Sequence, residues 1–148
     1  MTETTITKRI EFDTGHRIPG HKNKCKNLHG HRFILEVTAS GSLIQTKGVS
    51  DEGMVMDFAD IKQVMKEKIH DVLDHGFVMS KEDPFANSFA HLRDNFQQKI
   101  LLVDFVPTSE NLSIWCFNQL KDVMPEGVML KKVRLYETPN SYAEYAGE

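Results

Sequence analysis

At 148 residues the chain is long enough to bury a proper core, and 40% hydrophobic with 26% charged residues is an ordinary globular balance. A net charge of −3 argues against a general nucleic-acid binder, and no apolar run approaches the roughly 20 residues that cross a bilayer. Two cysteines make no disulfide framework and MTETTITKRIEF has no apolar signal region, so a reducing cytoplasm is the expected location.

Thr5 to Phe12 (TITKRIEF) is a short β-branched and aromatic run fit for a strand, and His16 follows it. Phe33 to Ala39 (FILEVTA) reads as a second strand, so the loop between them is the mouth of a wide hairpin. Gly41 to Gly53 is a turn-rich connection. Asp57 reads as the N-cap of a helix whose Phe58, Ile61, Met65, Ile69 and Val72 form one apolar stripe. That helix is expected to end at Leu73-Asp74-His75-Gly76, with glycine as the stop. Ser80 to Phe105 has no clean period, although NSFAHLRDNFQQKIL could form an extra helix. Ser109 is the expected N-cap of a further helix burying Leu112, Trp115, Cys116 and Leu120, which makes Cys116 a core residue. Val128 to Glu137 alternates like a strand, and Ser141 to Tyr145 offers a short last one. This order points to one α+β domain over 1–148, with helices packed on one face of an antiparallel sheet.

The hairpin mouth carries CKNLHGH, from Cys25 to His31. His29 and His31 lie two apart, so on an extended strand both rings project from one face, and Gly30 puts no side chain between them. An antiparallel partner would bring His16 alongside. Three imidazoles suit a catalytic zinc, which takes three protein ligands and keeps a fourth position open. A closed structural site with Cys25 as fourth ligand is the competing reading, although such sites usually draw on paired thiolates. From Thr14 to Leu35 there is no Asp or Glu, while Arg17, Lys22, Lys24, Lys26 and Arg32 all fall there. That stretch is either a solvated basic loop or a seat for an anion.

Other groups are ambiguous by themselves. Asp74 beside His75 could orient an acid/base imidazole, or His75 could be an exposed helix-terminal residue. Glu137 ends a strand, and Glu110 is most simply a first-turn carboxylate stabilising its own helix. His21, His70 and His91 have no partner pattern and read as surface residues.

Taken in order, these motifs resemble the 6-pyruvoyl-tetrahydropterin synthase/6-carboxy-tetrahydropterin synthase family along nearly the whole chain. They are His16 at a strand end, Cys25-x3-His29-Gly30-His31, Met56-Asp57-Phe58, Leu73-Asp74-His75, Pro107-Thr108-Ser109-Glu110-Asn111 and Glu137-Thr138. The resemblance implies the tunnelling fold (T-fold), an α+β architecture of a four-stranded antiparallel sheet with two helices packed on one face. It also implies a homo-oligomer, usually a hexamer, with active sites between subunits. His16, His29 and His31 would hold Zn2+, Cys25 would be the catalytic base, and His75 with Asp74 the second acid/base group. Glu137 would anchor a pterin, with Thr108, Ser109 and Glu110 near the same pocket, and Lys24 of the basic stretch would meet the substrate. Three residues between the cysteine and His-Gly-His are similar to the bacterial branch. That branch converts 7,8-dihydroneopterin triphosphate to 6-carboxy-5,6,7,8-tetrahydropterin, toward queuosine-type deazaguanines. The alternatives are triphosphate elimination with the side chain retained, as in 6-pyruvoyl-tetrahydropterin synthase, and a non-catalytic zinc module. Arg32-Phe33 after the second histidine departs from the commoner family pattern.

Overall fold

The computed structural model describes residues 2–148. Strands β1 (Glu3–His16) and β2 (His29–Ser42) pair antiparallel along their whole length, from Glu3 opposite Ser42 to His16 opposite His29. Both extend beyond the apolar runs that mark them in sequence. Backbone pairing continues through Asp13-Thr14-Gly15-His16 and His29-Gly30-His31-Arg32, which confines the hairpin loop to residues 17–28. On its other side β2 pairs with β5 (Val128–Thr138), and β5 with β6 (Ser141–Tyr145), both antiparallel.

These four strands form the expected antiparallel set, but the sheet is larger. Strands β3 (Gly76–Ser80) and β4 (Ile100–Val103) add to the free side of β1 in parallel, giving a six-stranded mixed sheet in the order β4-β3-β1-β2-β5-β6. The expectation of four strands and two helices is therefore corrected: the described residues form six strands, and a third helix lies between β3 and β4. GFVMS and ILLV are short apolar runs without alternation, and such runs do not distinguish a strand from a piece of buried helix. Parallel neighbours need a crossover, and the segment between β3 and β4 supplies one in the helix α3 (Ala86–Phe96).

Helix α1 (Phe58–Met65) begins on Asp57, whose side chain accepts from the Ala59 N–H at 2.8 Å. It runs through a π-helical turn, Lys66–His70, into a last α-turn, α2 (Asp71–Leu73). The left-handed residue that ends it is His75 (φ 59°), not Gly76, which already belongs to β3. The last helix, α4 (Ser109–Leu120), is capped by Thr108 rather than Ser109: its hydroxyl accepts from the Asn111 N–H at 3.1 Å.

Ile61, Met65, Leu112, Cys116 and Leu120 from the helices join Phe12, Phe33, Leu35, Val37, Val133 and Leu135 from the sheet in one core. Burying each of the larger ones stabilises the fold by about 1.5–3 kcal/mol. Strand periodicity carries that apolar face toward the hairpin mouth. After Phe12 on β1 come buried Thr14 and His16, and before Phe33 on β2 come His31 and His29. Phe33 lies under two of the histidine rings, with centroids 5.7 Å from His16 and 5.6 Å from His31. Among the described residues no helix is long and apolar enough to cross a membrane.

Candidate functional site

Where the core face ends, the three imidazoles meet. Their ring centroids are 4.6 Å (His16–His29), 5.1 Å (His16–His31) and 5.0 Å (His29–His31) apart. One nitrogen from each lies within 4.8 Å of the others. The outer nitrogens of two rings are committed: the His16 Nδ1–H donates to the Pro107 carbonyl at 2.7 Å and the His29 Nδ1–H to the Asn27 carbonyl at 2.8 Å. Both rings are thereby set in the tautomer whose Nε2 carries a lone pair. The Nε2 atoms of His16, His29 and His31 are all buried without a hydrogen-bond partner. Burial, the largest influence, holds both His16 and His31 below the ordinary imidazole value, against the pull of the Pro107 carbonyl on the first and of Glu137 on the second. Three imidazole donors gathered this closely, their Nε2 atoms without a hydrogen-bond partner, fit a metal ion. Cys25 is not in this group.

The supports of that geometry come from the start of α4 and from the neighbouring strand. Thr108 caps α4, and Asn111 Nδ2 donates to the Val106 carbonyl at 3.0 Å, so the loop presenting the Pro107 carbonyl is held from both sides. Gly30 is required for a plain reason. A Cβ there would lie 2.9 Å from the Thr14 carbonyl oxygen of the neighbouring strand.

Asp74 and His75 sit at the other end of α2. His75 Nδ1 is 2.7 Å from Asp74 Oδ2, and the second oxygen, Oδ1, accepts from the Asp13 N–H at 3.0 Å. Desolvation alone would raise the Asp74 pKa, but the bonds from Asp13 and His75 together outweigh it and hold the carboxyl below its usual value. The His75 N–H donates to the Asp13 carbonyl at 2.7 Å and the Lys99 ammonium to the Asp74 carbonyl at 2.6 Å, fixing the left-handed turn. A bay of about 400 Å³ opens here between Asp13, Gly15, Gly30, Arg32, His75 and Gly76.

The remaining candidates are distributed around these two centres. Cys25 and Lys24 occupy a 3₁₀ turn, Lys24–Lys26, at a bay of about 480 Å³ walled by His21 to Asn27. Cys25 is half-buried and its thiol is free. Glu137 Oε1 lies 3.3 Å from His31 Nε2. Thr108 is occupied as a cap, and the Ser109 hydroxyl donates to Glu110 Oε1 at 3.0 Å, so this group closes on itself at the helix start.

One expectation about the basic stretch changes. Arg17 is buried and paired with Asp83 (Nε–Oδ2 2.6 Å), so it is withdrawn from any anion. Arg32 is exposed but leans on Asp13. The lysines remain.

Sequence reasoning missed several of these parts. Asp13, Asp83, Lys99 and the carbonyls of Asn27 and Pro107 act through backbone or long-range bonds that no local spacing encodes. The one available signal was an aspartate, Asp13, at the edge of an acid-free stretch.

Residues 5–148 match the family model described as 6-pyruvoyl tetrahydropterin synthase. The chain is 37% identical over 140 residues to a 6-carboxy-5,6,7,8-tetrahydropterin synthase of Haemophilus influenzae, covering 95% of this chain and 96% of that one. It is 31% identical, over the full length of both, to a 6-pyruvoyl tetrahydrobiopterin synthase of Dictyostelium discoideum. Among solved structures, the 6-pyruvoyl tetrahydropterin synthase of Caenorhabditis elegans superposes with a TM-score of 0.69 at 28% identity, covering 100% of this chain and 98% of that one.

Proposed function

Because the chain belongs to the 6-pyruvoyl tetrahydropterin synthase family, we propose that it is a zinc-dependent 6-carboxy-5,6,7,8-tetrahydropterin synthase. Its substrate is 7,8-dihydroneopterin triphosphate, and with one water consumed the products are 6-carboxy-5,6,7,8-tetrahydropterin, acetaldehyde and triphosphate. The observation that carries a catalytic rather than a structural reading is the set of three orphaned Nε2 atoms with a free thiol outside it.

His16, His29 and His31 hold the zinc, which supplies Lewis acidity toward the hydroxyl and developing carbonyl oxygens of the substrate side chain. Cys25 takes a proton from that side chain as the base. His75, oriented by Asp74, returns one from its Nε2. Glu137 anchors the pterin by accepting from its amino and ring N–H groups, with Glu110, Thr108 and Ser109 bordering that pocket. Triphosphate leaves as a stable anion toward the lysines of the basic loop, Lys24 first among them. The proposed assembly is a T-fold homohexamer with sites between subunits, in the cytoplasm. The outer edges of β4 and β6, which carry no strand neighbour among the described residues, support such pairing.

The Dictyostelium relative favours a second reading, loss of triphosphate with the three-carbon side chain kept. Product identification separates the two. The zinc-loaded protein incubated with 7,8-dihydroneopterin triphosphate should release acetaldehyde and triphosphate in equal amounts. Triphosphate without acetaldehyde would establish the second reading, and neither product would refute both.

A further inference from the structure

The residue after the first histidine ligand is a buried arginine that the reaction above does not use. Arg17 spends its guanidinium on three groups. Nε donates to Asp83 Oδ2 at 2.6 Å, Nη1 donates to the Lys26 carbonyl at 2.7 Å, and the plane lies over the Phe85 ring, 4.1 Å from its centroid. Both charged side chains are shielded, Arg17 8% and Asp83 0% exposed. Burying an ion pair costs desolvation that its attraction rarely repays in full, so stability alone is a poor reason for one. What the pair touches is more informative.

Lys26 is the residue after Cys25. Three consecutive carbonyls of that turn are held from outside it: Cys25 by the Ile18 N–H at 2.8 Å, Lys26 by Arg17, and Asn27 by His29 Nδ1 at 2.8 Å. Asp83 is itself pinned, its N–H to the Ser80 carbonyl at 3.0 Å and its Oδ1 to the Phe85 N–H at 2.8 Å. The end of β3 thus grips, through one guanidinium, the turn that presents the thiol. The turn is a three-residue 3₁₀ element with no buried residue, so these bonds rather than packing fix it.

We propose that Arg17 and Asp83 are positioning residues for Cys25, a clamp from the β3–α3 connection that fixes the thiol relative to the histidine cluster. The inference uses the role given to Cys25 above. It also gives the Ser80–Phe105 segment, otherwise a sheet extension, a part in the chemistry. The fork geometry matters, because a lysine at position 17 could keep the charge but could not bridge Asp83 and the Lys26 carbonyl in the same way.

The test compares Asp83→Asn, Arg17→Lys and Phe85→Leu, the last at an exposed position where folding is not at stake. Three readouts are needed: zinc content, turnover, and the rate at which iodoacetamide labels Cys25, located by peptide mass. Cys116 is buried and serves as the internal control thiol. Zinc content should stay at the wild-type value in the folded variants. Labelling of Cys25 should speed up by about threefold or more as the turn loosens. In Asp83→Asn and Arg17→Lys, kcat should fall about tenfold with KM nearly unchanged, and Phe85→Leu should show the same pattern at smaller amplitude. In a Cys25→Ser background, adding Asp83→Asn should change residual turnover by less than about twofold, since residues acting as a unit are non-additive. Unchanged labelling and kcat in the folded variants would overturn the proposal. So would zinc loss in step with kcat, which would make the pair a support of the histidines. Labelling needs no substrate, so faster labelling in a protein inactive on the pterin triphosphate would leave the clamp standing and remove the assigned reaction.

Discussion

Replacing Asp74 by Asn should slow turnover about tenfold while leaving zinc and fold intact. The carboxylate makes two bonds at once, Oδ1 accepting from the Asp13 N–H at 3.0 Å and Oδ2 facing His75 Nδ1 at 2.7 Å. An asparagine has one acceptor oxygen. With that oxygen kept on Asp13, its NH₂ meets His75 Nδ1, which must then accept, so the ring cannot hold a proton on both nitrogens while Nε2 gives one up. A hydrogen bond to a charged group is worth about 1.5–3 kcal/mol. The His75 side chain is 79% exposed in the single chain, so solvent screening puts the loss at the lower end, about 1.5 kcal/mol or one decade in kcat. His75→Ala should cost about 10²-fold, because it removes the transferring group and not merely its orientation. Steady-state kinetics and ¹⁵N spectra of the imidazole read the two parts separately. An Asp74→Asn enzyme within twofold of wild type, with the His75 tautomer unchanged, would refute the reasoning.

Further outcomes follow from other contacts. In Gly30→Ala the new Cβ would sit 2.9 Å from the Thr14 carbonyl between two ligand strands; a destabilisation of about 1–3 kcal/mol is expected, with weaker zinc retention against a chelator, and full retention would argue against a close strand approach. In Glu137→Gln an N–H replaces one acceptor facing the pterin donors, so kcat/KM should fall by about 2–3 kcal/mol, mostly in KM, with zinc content unchanged; an unaltered KM would move the anchor to Glu110. The pH dependence is also fixed in sign. Because the folded Asp74 carboxyl titrates below its ordinary value of 3.8, its contribution is complete above that pH and is lost as pH falls through the lower folded value. Acid unfolding of Asp74→Asn should therefore show a shallower loss of stability below about pH 4, and an unchanged acid limb would contradict the assignment.

The three-histidine cluster was legible because strand geometry is simple. A period of two puts His29 and His31 on one face, and hairpin pairing brings in His16. The same simplicity marked the Asp57 cap and the core position of Cys116. What failed to show was non-local or backbone-mediated. β3 and β4 are too short and too uniformly apolar to carry a period, and their parallel pairing depends on partners far off in sequence. The helix stop at His75 in place of Gly76 follows from Asp13, which bonds both the Asp74 side chain and the His75 N–H. The cap shifted from Ser109 to Thr108 because the Ser109 hydroxyl turns to Glu110 instead. Arg17 looked like one of five cations in an acid-free stretch, and only the fold reveals that Asp83, 66 residues away, has claimed it.

In the proposed reaction the residues of CKNLHGH divide the labour: the histidines would hold the metal and the cysteine would move a proton. Metal content and turnover measured on the same sample of Cys25→Ala test this most directly. The prediction is about one zinc per chain, as a three-histidine site requires no thiolate, with turnover reduced by about 10²-fold. Loss of zinc as complete as in His29→Ala would contradict it, and would make Cys25 the fourth ligand of a closed site.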